Sequence, residues 1–136
     1  MSLLDDIGAY LASNGIGTVG TDIFLGRGLT ATPDAQVGLQ RSGGFGSIHA
    51  MRGVPGQPIA NQPRIQIVCR ALTYPLAEAK ANAVNDLLDG LRNTTINTTF
   101  YHFINSVQEP FLLQYDDNNR PVFVQNFDIM IRGAGG

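Results

Sequence analysis

The stretch RIQIVCRALTYPLAEAKANAVNDLLDGLR, residues 64–92, decides the fold class. Its opening alternates. Ile65, Ile67, Cys69 and Ala71 share one face and Arg64, Gln66 and Arg70 the other, the period of a half-buried strand. From Tyr74 the period changes. Ala77, Ala81, Val84, Leu87, Leu88 and Leu91 form an apolar stripe at helical spacing, and the alanines allow close approach to a sheet. Thr73 stands where a cap belongs, Pro75 suits a first turn, and Glu78 favours the positive end of a helix. The spacing predicts a helix over residues 74–92, weakened at Gly90 and stopped at Asn93.

Working outward from this strand and helix, residues 2–14 read as a short amphipathic helix. Ser2 is its cap, Asp5 completes an approximate capping box, and Leu3, Leu4, Ile7 and Leu11 lie on one face. Residues 22–25 are a brief strand closed by Gly26 and Gly28, and Thr32-Pro33-Asp34 is a turn. Residues 35–41 (AQVGLQR) alternate. On the other side, residues 98–107 (TTFYHFINSV) are β-branched and aromatic. Residues 110–115 and 121–131 read as a hairpin around the polar loop 116–120. Gly133 to Gly136 reads as a disordered tail. Strands and helices do not alternate regularly, so the expected class is α+β. It would be a mixed or antiparallel sheet of about five strands with two helices packed on one face, in a single domain of residues 1–136.

Between the strands at 35–41 and 64–71 lies SGGFGSIHAMRGVPGQPIANQ, residues 42–62. So long a connection is uncommon in a compact domain. It is Gly-rich yet carries Phe45, Ile48, Met51, Val54 and Ile59. We read it as an extended arm that packs on another subunit, the competing reading being an arm folded back over its own sheet.

Composition narrows the function. The chain has 136 residues, is 43% hydrophobic and 15% charged, and carries a formal net charge of −2. It can bury a core, and no basic stripe argues for nucleic-acid binding. So little charge fits a surface covered in an assembly, or simply one rich in Gly, Asn and Gln. A single cysteine, Cys69, excludes an internal disulfide and a cysteine-based zinc site, and on its apolar face it reads as core. No signal peptide and no membrane span are expected, so the chain reads as soluble and made in a cytoplasm. The sequons at Asn93 and Asn97 then read as strand-forming polar residues.

Catalytic and cofactor motifs are scarce. Gly15-Ile16-Gly17-Thr18-Val19-Gly20 fits G-x-G-x-x-G in letters, but it follows a helix and leads into a strand, the reverse of a dinucleotide site. It reads as a connection; the alternative is a small-molecule or nucleotide-binding module. His49 and His102 lack metal-ligand spacing. Asp116 and Asp117 form a solvated turn tip without a calcium loop around them. Asp5 and Asp6 suit a helix N-terminus. The chain therefore reads as a structural or binding protein, not an enzyme, with no cofactor.

Several phrases carry a resemblance. LLDDIGAYLASNGIGTVGTDIFLG, RIQIVCRA, AEAKANAVNDLLDGL and RPVFVQNFDIMIRG resemble tail-completion proteins of long-tailed bacteriophages, some known as minor capsid proteins and best understood as tail terminators. Arg70, Tyr74, Ala77 and Ala81, then Asp116 and Arg120, follow the same order of elements. The resemblance covers most of the chain except the arm. It implies a mixed sheet with helices on one face and a homohexameric ring at the head-proximal end of the tail in the virion. The implied partners are the tail tube protein and the head-tail connector or neck, with DNA only passing through the lumen. A neck or head-closure component is the neighbouring reading. The family does not fix contact residues. Our expectation for the subunit or tube interface is Phe45, Ile48, Met51, Arg52 and Val54 in the arm, with Phe111 and the hairpin of Asp116, Asp117 and Arg120 as a second contact. Arg41, Arg64 and Arg70 are expected to pair with a neighbour's carboxylates or to keep sheet edges soluble.

Overall fold

Hydrophobic alternation on four strands and one stripe on each of two helices meet in a single core. The computed structural model describes residues 3–26, 29–30, 33–48 and 60–132, the side chains of 45–48 excepted. The order is α1 (Leu3–Ser13), β1 (Ile23–Leu25), β2 (Gln36–Ile48), β3 (Ala60–Arg70), α2 (Tyr74–Leu88), β4 (Leu91–Ile96), β5 (Thr99–Ser106), β6 (Phe111–Tyr115) and β7 (Pro121–Arg132). The strands form one seven-stranded mixed sheet in the order β1-β2-β3-β7-β5-β4, with β6 also on β7. The expected α+β class stands; the strand number rises from about five to seven.

The core shows why both helices lie on one face. Ile7 and Leu11 of α1, Val37 and Leu39 of β2, Ile65, Ile67 and Cys69 of β3, Ala77, Ala81, Val84 and Leu88 of α2, and Phe123, Phe127 and Ile129 of β7 belong to one buried cluster. Register explains the grouping, for Leu39 faces Ile67, Val37 faces Cys69, and Cys69 faces Phe123. An isolated helix as short as α1 is marginal in water. Burial of side chains such as Ile7 and Leu11, at about 1.5–3 kcal/mol each, is what holds it. Cys69 is fully buried, and desolvation pushes its thiol up to about 12.

Three local readings change. The main helix ends at Leu88, not Arg92, because Asp89 caps it and Gly90 takes a left-handed φ of 86° while donating its N–H to the Ile104 carbonyl. Leu91 continues the helical spacing only by coincidence and opens β4, the strand the sequence did not show. Thr73 occupies the cap position without a side-chain cap bond, and the first turn of α2 holds no acid. Asn93 lies within β4 as expected, though at a positive φ of 48°, whereas Asn97, at a φ of 55°, is not a strand residue but opens the turn between β4 and β5.

The expected 42–62 arm also changes shape where it is described. β2 continues through Gly43 and Gly44 to Ile48, paired with β3 as far as Ile48↔Ala60. A side chain at Gly44 would strike the Gln62 carbonyl, and its φ of 134° suits only glycine. The two ends of the arm are therefore a ladder, not a loop, and residues 49–59 lie outside the described residues. So do the Ser2 cap, Gly28, Thr32 and the tail from Gly133.

One buried acid ties α1 to the sheet. Asp6, 1% exposed, accepts a hydrogen bond from Tyr101 Oη at 2.9 Å and another from Asn97 Nδ2 at 2.9 Å. Burial, and then the bond to Asp6, push the Tyr101 phenol far above its ordinary range. Tyr101→Phe should lower the unfolding free energy by about 1–3 kcal/mol, since it strips one donor from a buried carboxylate. The readout is a lower urea midpoint at unchanged slope; an unchanged midpoint contradicts this account of Asp6.

Candidate functional site

The most exposed apolar side chains collect around β6 and the start of α2. Phe111, Leu113 and Tyr115 are 45%, 52% and 51% exposed, and Leu72 and Leu76 are 59% and 57% exposed. β6 is joined to α2 through rings, for Leu112 faces Phe123, and Tyr74 meets Phe123 edge-on at 5.0 Å. Among the described strands β6 pairs only with β7, and Leu113 is the extra residue of a bulge between Leu112 and Gln114. One edge of β6 is thus open, flanked by apolar side chains. Exposed patches of this kind mark interaction surfaces.

The turn that brings β6 back to β7 is fixed from inside. Asp116 Oδ1 accepts from the N–H groups of Asn118, at 3.0 Å, and Arg120, at 2.8 Å, while Oδ2 accepts from Arg120 Nε at 2.8 Å. Asn119 supports the turn with a φ of 62°. Arg120, 5% exposed, also donates from Nη1 to Asp34 Oδ1 at 2.9 Å. Arg70, 3% exposed, donates to the carbonyls of Pro33 at 2.7 Å and Asp34 at 3.0 Å and lies 3.4 Å from Asp116 Oδ2. Gln36, opposite Arg70 in register, anchors the same incoming loop by accepting from the Thr30 N–H at 2.9 Å and donating to the Pro33 carbonyl at 2.8 Å.

Two arginines and two aspartates thus share one partly buried cluster. Burial and the nearby Arg120 charge lower the Arg70 guanidinium, against the pull of Asp116 and Asp34. Arg120 is opposed by desolvation, but its bonds to Asp34 and Asp116 raise it. Desolvation likewise opposes ionisation of Asp116, yet the bonds from Arg120 and from the Asn118 N–H outweigh it and hold the carboxyl below its ordinary range.

The expected contact residues separate under this geometry. Phe111 is on the open β6 surface, and Asp117 is exposed at the turn. Asp116 and Arg120 turn inward and brace the hairpin. Phe45 and Ile48 are backbone members of β2, while Met51, Arg52 and Val54 lie outside the described residues, as does His49. Arg64 pairs with Asp128 of its own chain at 2.6 Å and Arg70 with Asp116, so their described partners are internal. His102 is a strand side chain, edge-on to Phe100 at 5.1 Å. The sequence reading missed Leu72, Leu76, Leu113 and Tyr115. Leu113 and Tyr115 were legible as alternate residues of an uncharged strand, but nothing in the sequence told which strand is left at an edge.

At the other end of the sheet, Asp6, Arg41, Gly43, Gly44, Gln62 and Tyr101 are among the residues lining a cleft of about 520 Å³. No cluster of metal-ligating residues occurs among the described residues, and no described helix is long and apolar enough to cross a membrane. The Gly15–Gly20 segment closes α1 and enters β1, and Asp22 Oδ1 already accepts the Thr18 N–H at 2.6 Å. A backbone donor that a phosphate would need is taken by a carboxylate.

A family model described as bacteriophage tail terminator protein matches residues 10–132, a span that contains the whole β6–β7 hairpin and both strands of the arm. No curated protein matches the chain.

The lowered Asp116 gives the cluster a pH signature. A group whose folded pKa is depressed adds stability above its unfolded value, near 4, and loses it as pH falls through the folded value. Stability should therefore drop on acidification below about pH 4, and Asp116→Asn should flatten that part of the profile while lowering stability at neutral pH. Urea midpoints measured across pH test this; parallel profiles for the two proteins contradict it.

Proposed function

The chain belongs to the bacteriophage tail terminator family, a family of structural tail proteins, and we propose that it closes the head-proximal end of the tail tube as a homohexameric ring and offers the head connector its docking surface. The observation that carries this reading is the family match over residues 10–132. Two physical features support it. A ring needs two different surfaces on each subunit, since a heterologous contact can close on itself. The chain has two candidates at opposite ends of β7, the β6 edge with its apolar flank and the far half of the β2–β3 ladder, which is described as far as Ile48 and Ala60. The formal charge of −2 suits a ring that lets DNA pass without gripping it.

In this reading the arm residues Phe45, Ile48, Met51, Arg52 and Val54 reach a neighbouring subunit or the tube, and Phe111 with Asp117 form the second contact. Asp116 and Arg120 hold that contact in shape. Subunits are assembled in the host cytoplasm and reside at the head-proximal end of the virion tail.

Replacing residues 49–59 by an Asn-Gly turn, which suits a two-residue hairpin, should leave a folded subunit by circular dichroism but abolish rings and tube capping in negative-stain images. A chain that is monomeric both in solution and on tubes contradicts the ring. Rings that persist after the replacement contradict the role of the tip alone.

A further inference from the structure

We propose that the far half of the helix-free sheet face contacts the phosphate backbone of duplex DNA through Arg92 and Arg132. This rests on the ring reading above, in which DNA passes through the bore, and names the face that turns towards it.

Alternation separates the two faces of the sheet. Phe123, Phe127 and Ile129 of β7 and Ile65, Ile67 and Cys69 of β3 belong to the core under the helices. Asn126, Asp128, Met130 and Arg132, with Arg64 and Gln66, therefore point the other way. An irregularity in β5 between Tyr101 and Phe103 sets Phe103 against Met130 on this second face, and Arg92 of β4 lies opposite Phe103. The near end of the face is covered, for Gln36 and Arg70 are buried there and bond to Thr30, Pro33 and Asp34. No described element covers the far half, and Arg92 and Arg132 are exposed on it.

The charges divide between the two layers. Helices α1 and α2 carry Asp5, Asp6, Glu78 and Asp86 against one base, Lys80. The far half of the open face carries, among the described residues, Arg64, Arg92 and Arg132 against one acid, Asp128, which Arg64 already pairs at 2.6 Å. A chain with a formal charge of −2 thus presents a positive face on the side away from its helices. The three arginines come from β3, β4 and β7, so no basic run marks them in the sequence.

The two exposed arginines are placed for an anion. Arg132 lies over the Phe100 ring at 4.3 Å and Arg92 over the Phe103 ring at 5.7 Å, and neither has a carboxylate in ion-pair range among the described residues. A guanidinium stacked on a ring is held in position and keeps in-plane N–H groups for a phosphate; Arg92 spends one of its own on the Leu91 carbonyl. Two such contacts per subunit make a weak hold, indifferent to sequence and dissolved by salt. That strength is compatible with DNA passing rather than being gripped.

The anisotropy of a labelled DNA duplex, titrated with the full chain at low salt, tests the contact. The unmutated protein should bind duplexes of unrelated sequence alike, with an affinity that falls as salt rises. Arg92→Gln and Arg132→Gln should each weaken binding and reduce the slope of log affinity against log salt by about 1, with melting and the rings seen in negative stain unchanged. Lys80→Gln, which removes the same charge from the helix layer, should leave the slope as it is. An equal loss from Lys80→Gln means that net charge alone is read, and overturns the proposal. So does a chain that forms rings but binds no duplex at low salt, or one that binds polyglutamate through the same arginines as tightly as DNA; these outcomes leave the ring reading standing. Arginine-dependent DNA binding by a chain that forms rings neither in solution nor on tubes upholds the contact and overturns the ring reading instead.

Discussion

Both edges of one long strand organise this sheet. Along one edge of β7, Val122 to Arg132 face β3. Along the other, Phe127 to Ile131 face β5 and Pro121 to Val124 face β6. β5 and β6 are therefore two halves of one partner, broken at residues 107–110, where the Val107 N–H bonds the Asn126 carbonyl. Only the first half gains a further neighbour, β4. Because α2 must end and turn at Gly90 to let β4 lie beside β5, no described strand covers the outer edge of the second half. The exposed surface at β6 is thus a consequence of how β7 is shared.

The buried charges serve that arrangement. Replacing a buried ion pair by apolar residues often costs nothing in stability, so such pairs are weak evidence for stability as such. Here Arg70 reaches from β3, Arg120 from β7, Asp116 from the turn and Asp34 from the loop before β2. Four separate segments must be in register for every donor to find its acceptor. A hairpin displaced along β7 would break the Arg70–Asp116 and Arg120–Asp34 contacts and leave each buried guanidinium with fewer acceptors, a cost that burial enlarges.

The sequence made the central elements legible because burial and period coincide there. Val37, Leu39, Ile65, Ile67 and Cys69 alternate and are all fully buried, and Ile7 and Leu11 do the same at helical spacing. It failed where one residue decides between continuations. Leu91 fits the stripe of α2, and only the left-handed Gly90 before it shows that the helix has stopped. The glycines of residues 42–46 suggested a loop, whereas two of them serve a bulged ladder in which close backbone approach excludes a side chain. The candidate site was half legible. Phe111 and the hairpin were visible as exposed features, but the inward turn of Asp116 and Arg120 depends on Asp34 and Arg70, which are remote in sequence.

The scarcity of charge becomes informative once its placement is known. Of the nine basic residues, Arg27 and Arg52 lie outside the described residues. Arg64, Arg70 and Arg120 are in ion pairs, Arg92 lies over the Phe103 ring and Arg132 over the Phe100 ring, and Lys80 donates to the Ile16 carbonyl. These cations serve the subunit's own architecture. Arg41 is exposed without a charged or hydrogen-bond partner among the described residues, and Arg92 and Arg132, though set over rings, are exposed as well. A surface so sparing of charge offers mainly backbone groups and apolar side chains, whose contacts salt screens little.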